Sequence, residues 1–468
     1  MSCSVSNRFR FLVNHAKLDF KDYQYEGVKW CVGRETESDC SNKKGGIILD
    51  EMGLGKTFTM IATMYVNMLP STLIVVPPIL VKQWCQEIYK VSGHKALIYH
   101  GHNKKKLSLE QLVCSPIVIT TYHAISISKK RPVLDKLHQV LWSRVIFDEA
   151  HHLRNRNTTR FLGCKHLKAG VRWFMTGTPI QNKRSDFYHL CNALGLEKSF
   201  YADVENMPFI LKTYVLRRTK QNAGIVLPDL INTTIMVPWA NERKVAEEIH
   251  SILTISGVSS KKGGILSREL QKGRALTTIL RAKQICIMPS LLKPLFVSFF
   301  RKGILNDEYM RFLTSSSKLD AVVACIVEKK ENGKGKIVFC HYHEEIDFIA
   351  TKLRDYGLSV LVCDGRSRGV DKDKKVDVLI LQIQTGCEGL NLQENYSEVY
   401  FVSPNWNPSI EDQAVARCHR MGQMNDVYVF RFMMDEFDRC DNKNTKTLEK
   451  YVYDIQEIKR RISIETLG

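Results

Sequence analysis

Short apolar runs rich in valine and isoleucine, spaced by amphipathic or polar stretches, recur in two sets along this chain. The first set lies at 46–49, 73–76, 117–120 and 145–147; the second lies at 336–340, 360–363, 376–381, 399–402 and 427–430. Runs this short, with helical patterns between them, read as strands, and runs apolar on both faces read as buried strands of a parallel sheet closed by crossover helices. The chain is therefore expected to be α/β, with one parallel-sheet lobe at 1–222 and another at 320–468. Residues 223–319 have a different texture: helix-leaning at 241–255 and 267–286, and rich in Lys and Arg. A helical, basic insertion is expected there. No tandem repeat or low-complexity tract stands out.

Composition narrows the class further. Hydrophobic residues make up 44% and charged residues 25% of the 468, which excludes wholesale disorder. The apolar runs stop far short of the roughly 20 residues of a membrane helix. The first twenty residues carry Arg, Asn, His, Lys and Asp where a secretion signal is apolar, so a soluble, intracellular chain with no membrane partner is expected. Lys and Arg number 68 against 49 Asp and Glu, a formal charge of +19, which favours a polyanionic partner. The fourteen cysteines include no Cys-x-x-Cys pair, which argues for reduced, mostly buried thiols over a zinc ribbon or disulfide scaffold. His341 and His343 flank Tyr342 without an acidic or thiol partner and are expected to be structural. The basic triplets Lys104, Lys105, Lys106 and Lys129, Lys130, Arg131 read as import signals or as solvated loops. The cations along 261–283 read as a phosphate-contacting surface or a soluble face.

The sharpest local signal is the run from 46–49 into Asp50, Glu51, Met52, Gly53, Leu54, Gly55, Lys56 and Thr57, followed by a helical pattern over 58–68. Glycines let backbone N–H groups approach phosphate oxygens, the helix N-terminus adds a favourable dipole, and the lysine neutralises the outer phosphates. Thr57 is placed to ligate Mg2+. The general pattern begins with glycine, where this chain has Asp50.

A second run, 141–147, ends in Asp148 and Glu149, followed by Ala150 and His151. In a phosphate-loop ATPase one carboxylate at such a strand end holds the Mg2+ shell and its neighbour orients the attacking water, so Asp148 takes the first role and Glu149 the second. An isolated acid pair also caps helices. With a Lys-Thr loop upstream on what reads as the neighbouring strand, the pair points to ATP hydrolysis.

These motifs resemble those of the Swi/Snf-type ATPases of helicase superfamily two, and the resemblance runs across nearly the whole chain in the family's order. Asp22, Tyr23, Gln24, Glu26, Gly27, Val28 and Trp30 are similar to the segment whose glutamine reads adenine. Ile74 to Pro77 with Trp84 and Glu87, and Ile119 to Tyr122, resemble segments that touch the nucleic-acid backbone. Thr176, Gly177, Thr178 and Pro179, with Gln181 and Asn182, resemble the motif coupling hydrolysis to lobe movement. Leu216, Arg217, Arg218, Thr219 and Lys220 close the first lobe as the family does, and Ala282 to Cys286 echo the helix before the second. In the second lobe Gly389, Leu390, Asn391 and Leu392, then Trp406, Asn407 and Pro408, and then Gln413 to Gln423 match well. The last run puts Arg417 and Arg420 three residues apart, on one face if helical.

The resemblance implies two RecA-like lobes binding ATP, Mg2+ and duplex DNA. Gln24 would read adenine, residues 50–57 the phosphates, and Thr57 and Asp148 the metal. Arg417 and Arg420 would act as arginine fingers completed when the lobes close, with Thr176, Gly177, Thr178 and Gln413 in coupling. Departures fall in the second lobe: Gln382, Thr385, Gly386 and Cys387 replace the family's small residues before Gly389, and Ser403 replaces an acid before Trp406. With no recognisable bromodomain, chromodomain or zinc module, the chain is expected to be similar to the compact viral members of the group, the baculovirus global transactivators.

The expected function is a DNA-stimulated ATPase and translocase that remodels protein–DNA complexes, nucleosomal or otherwise, alongside the transcription machinery in the nucleus. Two alternatives share its motifs: a superfamily-two RNA helicase, and a DNA-binding transcription cofactor with a vestigial motor. Asp50, Glu51, Met52 and Trp406, Asn407, Pro408 favour the duplex-DNA branch, and intact Lys56, Asp148, Glu149, Arg417 and Arg420 favour a working motor.

Overall fold

The computed structural model describes the chain apart from residues 1, 38–42, 131, 254–264, 272–274, 367–374, 384–390, 438–445 and 468. Thr385, Gly386, Cys387, Gly389, Leu390, Arg131 and parts of the basic stretch 261–283 thus lie outside the described residues. The chain forms two compact units, Met1–Val226 with Arg461–Gly468, and Leu227–Arg460.

The first unit is built on seven parallel strands: β1 (Lys44–Ile48), β2 (Thr72–Val76), β3 (Leu97–Tyr99), β4 (Ile117–Thr121), β5 (Leu141–Asp148), β6 (Lys168–Met175) and β7 (Val215–Leu216). Their order is β3-β4-β2-β5-β6-β1-β7, and every pairing is parallel. Because side chains alternate across a strand, each apolar run feeds two cores. Ile74, Val76, Ile146 and Trp173 pack against the helices Ser2–His15, Asp22–Thr36, Lys56–Val66 and Val81–Ser92. Leu73, Val75, Val145, Phe147 and Phe174 pack on the opposite face with Phe187, Leu190 and Ile210. One buried ionic network pins that first layer of helices to the sheet. Glu35, at the end of Asp22–Thr36, accepts from Arg144 Nε at 2.6 Å, Trp173 Nε1 at 2.8 Å and Asn67 Nδ2 at 2.7 Å.

The second unit carries β8 (Leu230–Val237), β9 (Gly335–Cys340), β10 (Val360–Cys363), β11 (Val378–Gln382), β12 (Tyr396–Phe401) and β13 (Val427–Met434), in the parallel order β10-β11-β9-β12-β13-β8. The nine apolar runs all fall on these two sheets. Four strands, β3, β6, β7 and β8, are not among them. The stretch expected as an insertion, 223–319, is counted with the second unit from Leu227 onward. Its β8 pairs along its whole length with β13, and Val245, Ile249, Ala282, Ile285 and Phe296 from its helices join the core that Val338, Ile380 and Phe432 build from the sheet.

Among the described residues no helix is long and apolar enough to cross a membrane. The described cysteines are free thiols, and Cys31, Cys164, Cys191, Cys286, Cys340 and Cys418 are buried. His341 hydrogen-bonds the Ser403 carbonyl at 3.2 Å, but His343 does have an acidic partner, Asp364 at 3.2 Å, which the fold brings in from beyond β10; no metal-binding group of His, Cys, Asp or Glu occurs among the described residues.

Candidate active site

β1 ends at Ile48, and the chain turns through residues 49–55 into the helix Lys56–Val66. Gly53 at φ 92° and Gly55 at φ 79° hold left-handed conformations that side-chain-bearing residues resist. Leu54 is fully buried and anchors the turn. No side chain caps the N-terminus of Lys56–Val66, and a helix N-terminus favours an anion. Lys56 Nζ donates to the loop's own carbonyls, Asp50 O at 2.8 Å and Glu51 O at 3.4 Å. Gln24, on the helix Asp22–Thr36, is buried against the same turn: a Cβ on Gly55 would lie 2.8 Å from its Nε2.

Asp50 and Glu51 occupy positions where the glycine-loop pattern leaves their purpose open. Asp50 is fully buried and ion-paired with Arg218, whose Nη1 also donates to the Tyr23 carbonyl. Glu51 accepts from the Lys220 backbone N–H at 2.8 Å and faces Lys220 Nζ at 3.3 Å. A Cβ on Gly27 would strike the Arg218 guanidinium, so this glycine clears the arginine's path. In the sequence, Arg218 reads only as the close of a lobe. A buried acid in place of the first loop glycine is the signal that a cation has to be nearby.

Asp148 ends β5, and Glu149, Ala150 and His151 continue from it into a short helical turn. Glu149 is left-handed at φ 50°, a strained conformation for a residue with a side chain, of the kind that concentrates at functional sites. Asp148 Oδ1 accepts the Glu149 N–H at 2.9 Å, and Oδ2 accepts the Trp84 indole N–H at 2.8 Å. Its carbonyl accepts the Tyr122 hydroxyl at 2.6 Å. Trp84 and Tyr122 belong to segments the resemblance assigns to the nucleic-acid backbone, yet both side chains are buried and turned to this acid. Burial, with the Glu149 charge beside it, pushes the Asp148 carboxyl up to about 6, against those hydrogen bonds and the charge of Lys56. Such a carboxylate gains from a cation. It and the Thr57 hydroxyl are hard oxygen donors, few in number, which suits Mg2+ completing its shell from phosphates and water.

The loop strand and the acid strand are not the neighbours that the motifs predict. β6 lies between β1 and β5, its sequence too mixed in polarity to read as a strand. The segment that the resemblance assigns to coupling begins directly after β6. Thr176 N–H donates to the Ile48 carbonyl at 3.0 Å, and a Cβ on Gly177 would meet Met52 at 2.8 Å and Lys56 Nζ at 3.4 Å. Thr178 N–H donates to the Thr176 hydroxyl, which sits 3.5 Å from His151 Nδ1. His151 Nδ1 in turn lies 3.2 Å from Glu149. Gly177 therefore lies against Met52 and Lys56 of the loop, and Thr176 reaches Glu149 through His151.

Gln413, Arg417 and Arg420 belong to the second unit. Gln413 is buried on the helix Pro408–Val415. That helix stops before the arginines, which stand in the turns beyond it and not on a common helical face. The Arg417 carbonyl is taken by the Leu392 N–H at 3.1 Å, and Gln423 Nε2 takes the Cys418 carbonyl at 3.3 Å, so cross-chain bonds replace the helical ladder. Arg420 Nη1 donates to Asn391 Oδ1 at 2.6 Å. At the Ser403 departure an acid is still present: Ser403 Oγ donates to Glu449 at 2.8 Å, and Glu449 is ion-paired with buried Lys318.

Residues 23–291 match the SNF2-related domain, and residues 317–422 match the helicase conserved C-terminal domain. An uncharacterized ATP-dependent helicase of Mycoplasma genitalium is 28% identical over 100% of this chain and 44% of its own length. The probable global transactivator of Orgyia pseudotsugata multicapsid polyhedrosis virus is 26% identical over 95% of this chain and 94% of its own length. Among solved structures, the Sulfolobus solfataricus SWI2/SNF2 ATPase core in complex with dsDNA is 26% identical, covering 89% of this chain and 88% of that one at a TM-score of 0.41. The chain thus spans less than half the length of its Mycoplasma relative, while the matched domain covers more than half of the chain itself: the protein belongs to the SNF2-related family.

Proposed function

We propose that the chain is a DNA-stimulated ATPase that translocates on duplex DNA and remodels protein–DNA complexes in transcription. The observation that carries this reading is the convergence of Lys56, Gly177 and the Glu149–His151–Thr176 chain beyond the C-terminal ends of β1, β5 and β6. A change at the phosphates is thereby transmitted to the coupling segment through direct contact.

ATP is the substrate in this scheme. The open N-terminus of Lys56–Val66 and Lys56 itself take its phosphates, and Gln24 selects adenine by hydrogen bonding. Mg2+, held by Thr57 and Asp148, neutralises phosphate charge when bound. Glu149 orients the attacking water and accepts its proton. Arg417 and Arg420 supply planar, permanently charged donors to the transferring phosphoryl group when the lobes close. Thr176, Gly177, Thr178 and Gln413 pass the change to the rest of each lobe.

The excess positive charge supports a polyanion track, gripped through phosphates without sequence preference. Similarity to a probable global transactivator of nearly equal length supports a role in transcription, as an activator acting in the nucleus. The test is ATP turnover with and without duplex DNA for the wild type and for Lys56→Ala. Stimulation by DNA, lost in the variant, is expected. Stimulation by RNA alone would turn the reading to an RNA helicase, and absence of turnover above background would leave a DNA-binding cofactor with a vestigial motor.

A further inference from the structure

We infer that Trp84 is a positioning residue for Asp148, through which the helix Val81–Ser92 governs the hydrolytic site; this rests on the ATPase reading above. A carboxylate can turn about its last torsion, and a metal-holding acid is useful only if that torsion is fixed. Asp148 Oδ1 is fixed locally by the Glu149 N–H, and Oδ2 is fixed from another element by the Trp84 indole. An indole carries one donor and no acceptor. Trp84 is 1% exposed, so bulk water does not compete for it.

The backbone of the acid is held separately. Tyr122, just past β4, donates its hydroxyl to the Asp148 carbonyl at 2.6 Å. Two elements that read as facing nucleic acid thus grip one residue, one by its side chain and one by its main chain.

The outer face of Val81–Ser92 is polar and basic: Lys82, Gln86, Tyr89 and Lys90 are exposed while Val81, Trp84, Ile88 and Val91 are buried. Phosphates bound on that face would load the helix that carries Trp84. A hydrogen bond is lost within roughly 1 Å of displacement from its optimum. Small movements of the helix therefore register at the acid, which gives DNA occupancy a direct route to catalysis.

Trp84→Phe keeps the ring in the core and removes the donor. Its test is nucleotide affinity by calorimetry with and without Mg2+, beside DNA-stimulated turnover. ADP binding without Mg2+ is expected to stay within about two-fold of wild type. The Mg2+-dependent gain in affinity and the DNA-stimulated kcat are expected to fall roughly 10- to 100-fold, as for a hydrogen bond to a charged group. KM for ATP at saturating Mg2+ should change far less than kcat. A folded Trp84→Phe protein with wild-type Mg2+ response and turnover overturns the inference. Should that variant unfold, Trp84→Met, which fills the site without a donor, takes its place, and an unchanged Mg2+ response in the folded protein overturns the inference equally. A wild type without turnover sinks the ATPase reading itself, which keeps the two failures apart.

Discussion

Arg218 forks onto Asp50: its Nε donates to Oδ1 at 3.0 Å and its Nη2 to Oδ2, closing a bidentate pair at the mouth of the phosphate loop. The third guanidinium nitrogen holds the carbonyl of Tyr23, immediately before Gln24. One side chain therefore ties the helix that carries Gln24, the first loop residue and the segment leading out of the first unit.

Because Asp50 is fully buried, removing its partner strands a charge. Arg218→Ala is expected to cost about 3–5 kcal/mol in unfolding free energy and to weaken ATP binding. Asp50→Gly restores the general loop pattern yet should weaken ATP binding as well, since the fork then has nothing to close on. The two effects should be far from additive in the double variant. Urea unfolding with ADP titration measures all three, and an Asp50→Gly protein that binds ATP more tightly than wild type would refute the account.

Arg420 has its own fixed donor geometry, with Nη1 on Asn391 Oδ1. As a finger on the transferring phosphoryl group it should be worth about a thousand-fold in kcat, with KM for ATP little changed. Arg420→Lys should fare almost as badly as Arg420→Ala, because an ammonium cannot both keep the Asn391 contact and present a planar fork. Steady-state turnover with saturating duplex DNA decides it: a lysine variant retaining more than about a tenth of wild-type kcat would exclude the finger role.

Much of this was legible in the chain. Runs such as 73–76 and 337–340 are apolar on both faces, and their shortness and Val/Ile content favour a buried strand over a buried helix. The turn at Gly53 and Gly55 was legible because two close glycines after an apolar run permit the left-handed conformations that are found there. β6 was not legible, since Lys168, Arg172 and Gly170 break its pattern, and without it β1 and β5 read as neighbours. β8 is silent in the sequence because its side chains are largely exposed and its place is set by pairing with β13. Long-range partners were the harder loss. Nothing local to Trp84 or Arg218 announces an acid 64 or 168 positions away, and spacing alone puts Arg417 and Arg420 on a helix that cross-chain hydrogen bonds end early.

Gly177 lies against the glycine loop, beside Met52 and Lys56. A methyl group there would press on the Met52 side chain and crowd Lys56 Nζ. Met52 is flexible enough to yield, so Gly177→Ala should cost little stability. Lys56, displaced by a few tenths of an ångström, should lose roughly ten-fold in kcat with nucleotide binding largely kept. Thermal melting beside single-turnover hydrolysis checks both halves. A variant with normal turnover would show that the contact plays no part in hydrolysis.

The second unit contains a buried histidine whose titration should dominate part of its acid sensitivity. His250 Nδ1 lies 2.8 Å from the Ala246 carbonyl and so carries the proton, leaving Nε2 to face the Cys286 thiol at 3.7 Å. Trp239 and Phe437 pack their rings around it. Burial lowers its pKa from 6.5 to about 4, opposed only by the hydrogen bond to Ala246. Above pH 6.5 neither folded nor unfolded chain protonates this ring, so it contributes no slope. Between about 6.5 and 4 the unfolded chain binds a proton that the folded chain refuses, and stability must fall as pH falls. The loss is complete near pH 4 and amounts to about 3 kcal/mol. His250→Met removes the titration, so whatever it costs at pH 7.5, its stability should decline less steeply than wild type across that window. Urea unfolding at half-unit pH steps measures the difference, and parallel profiles for the two proteins would rule out His250 as the source.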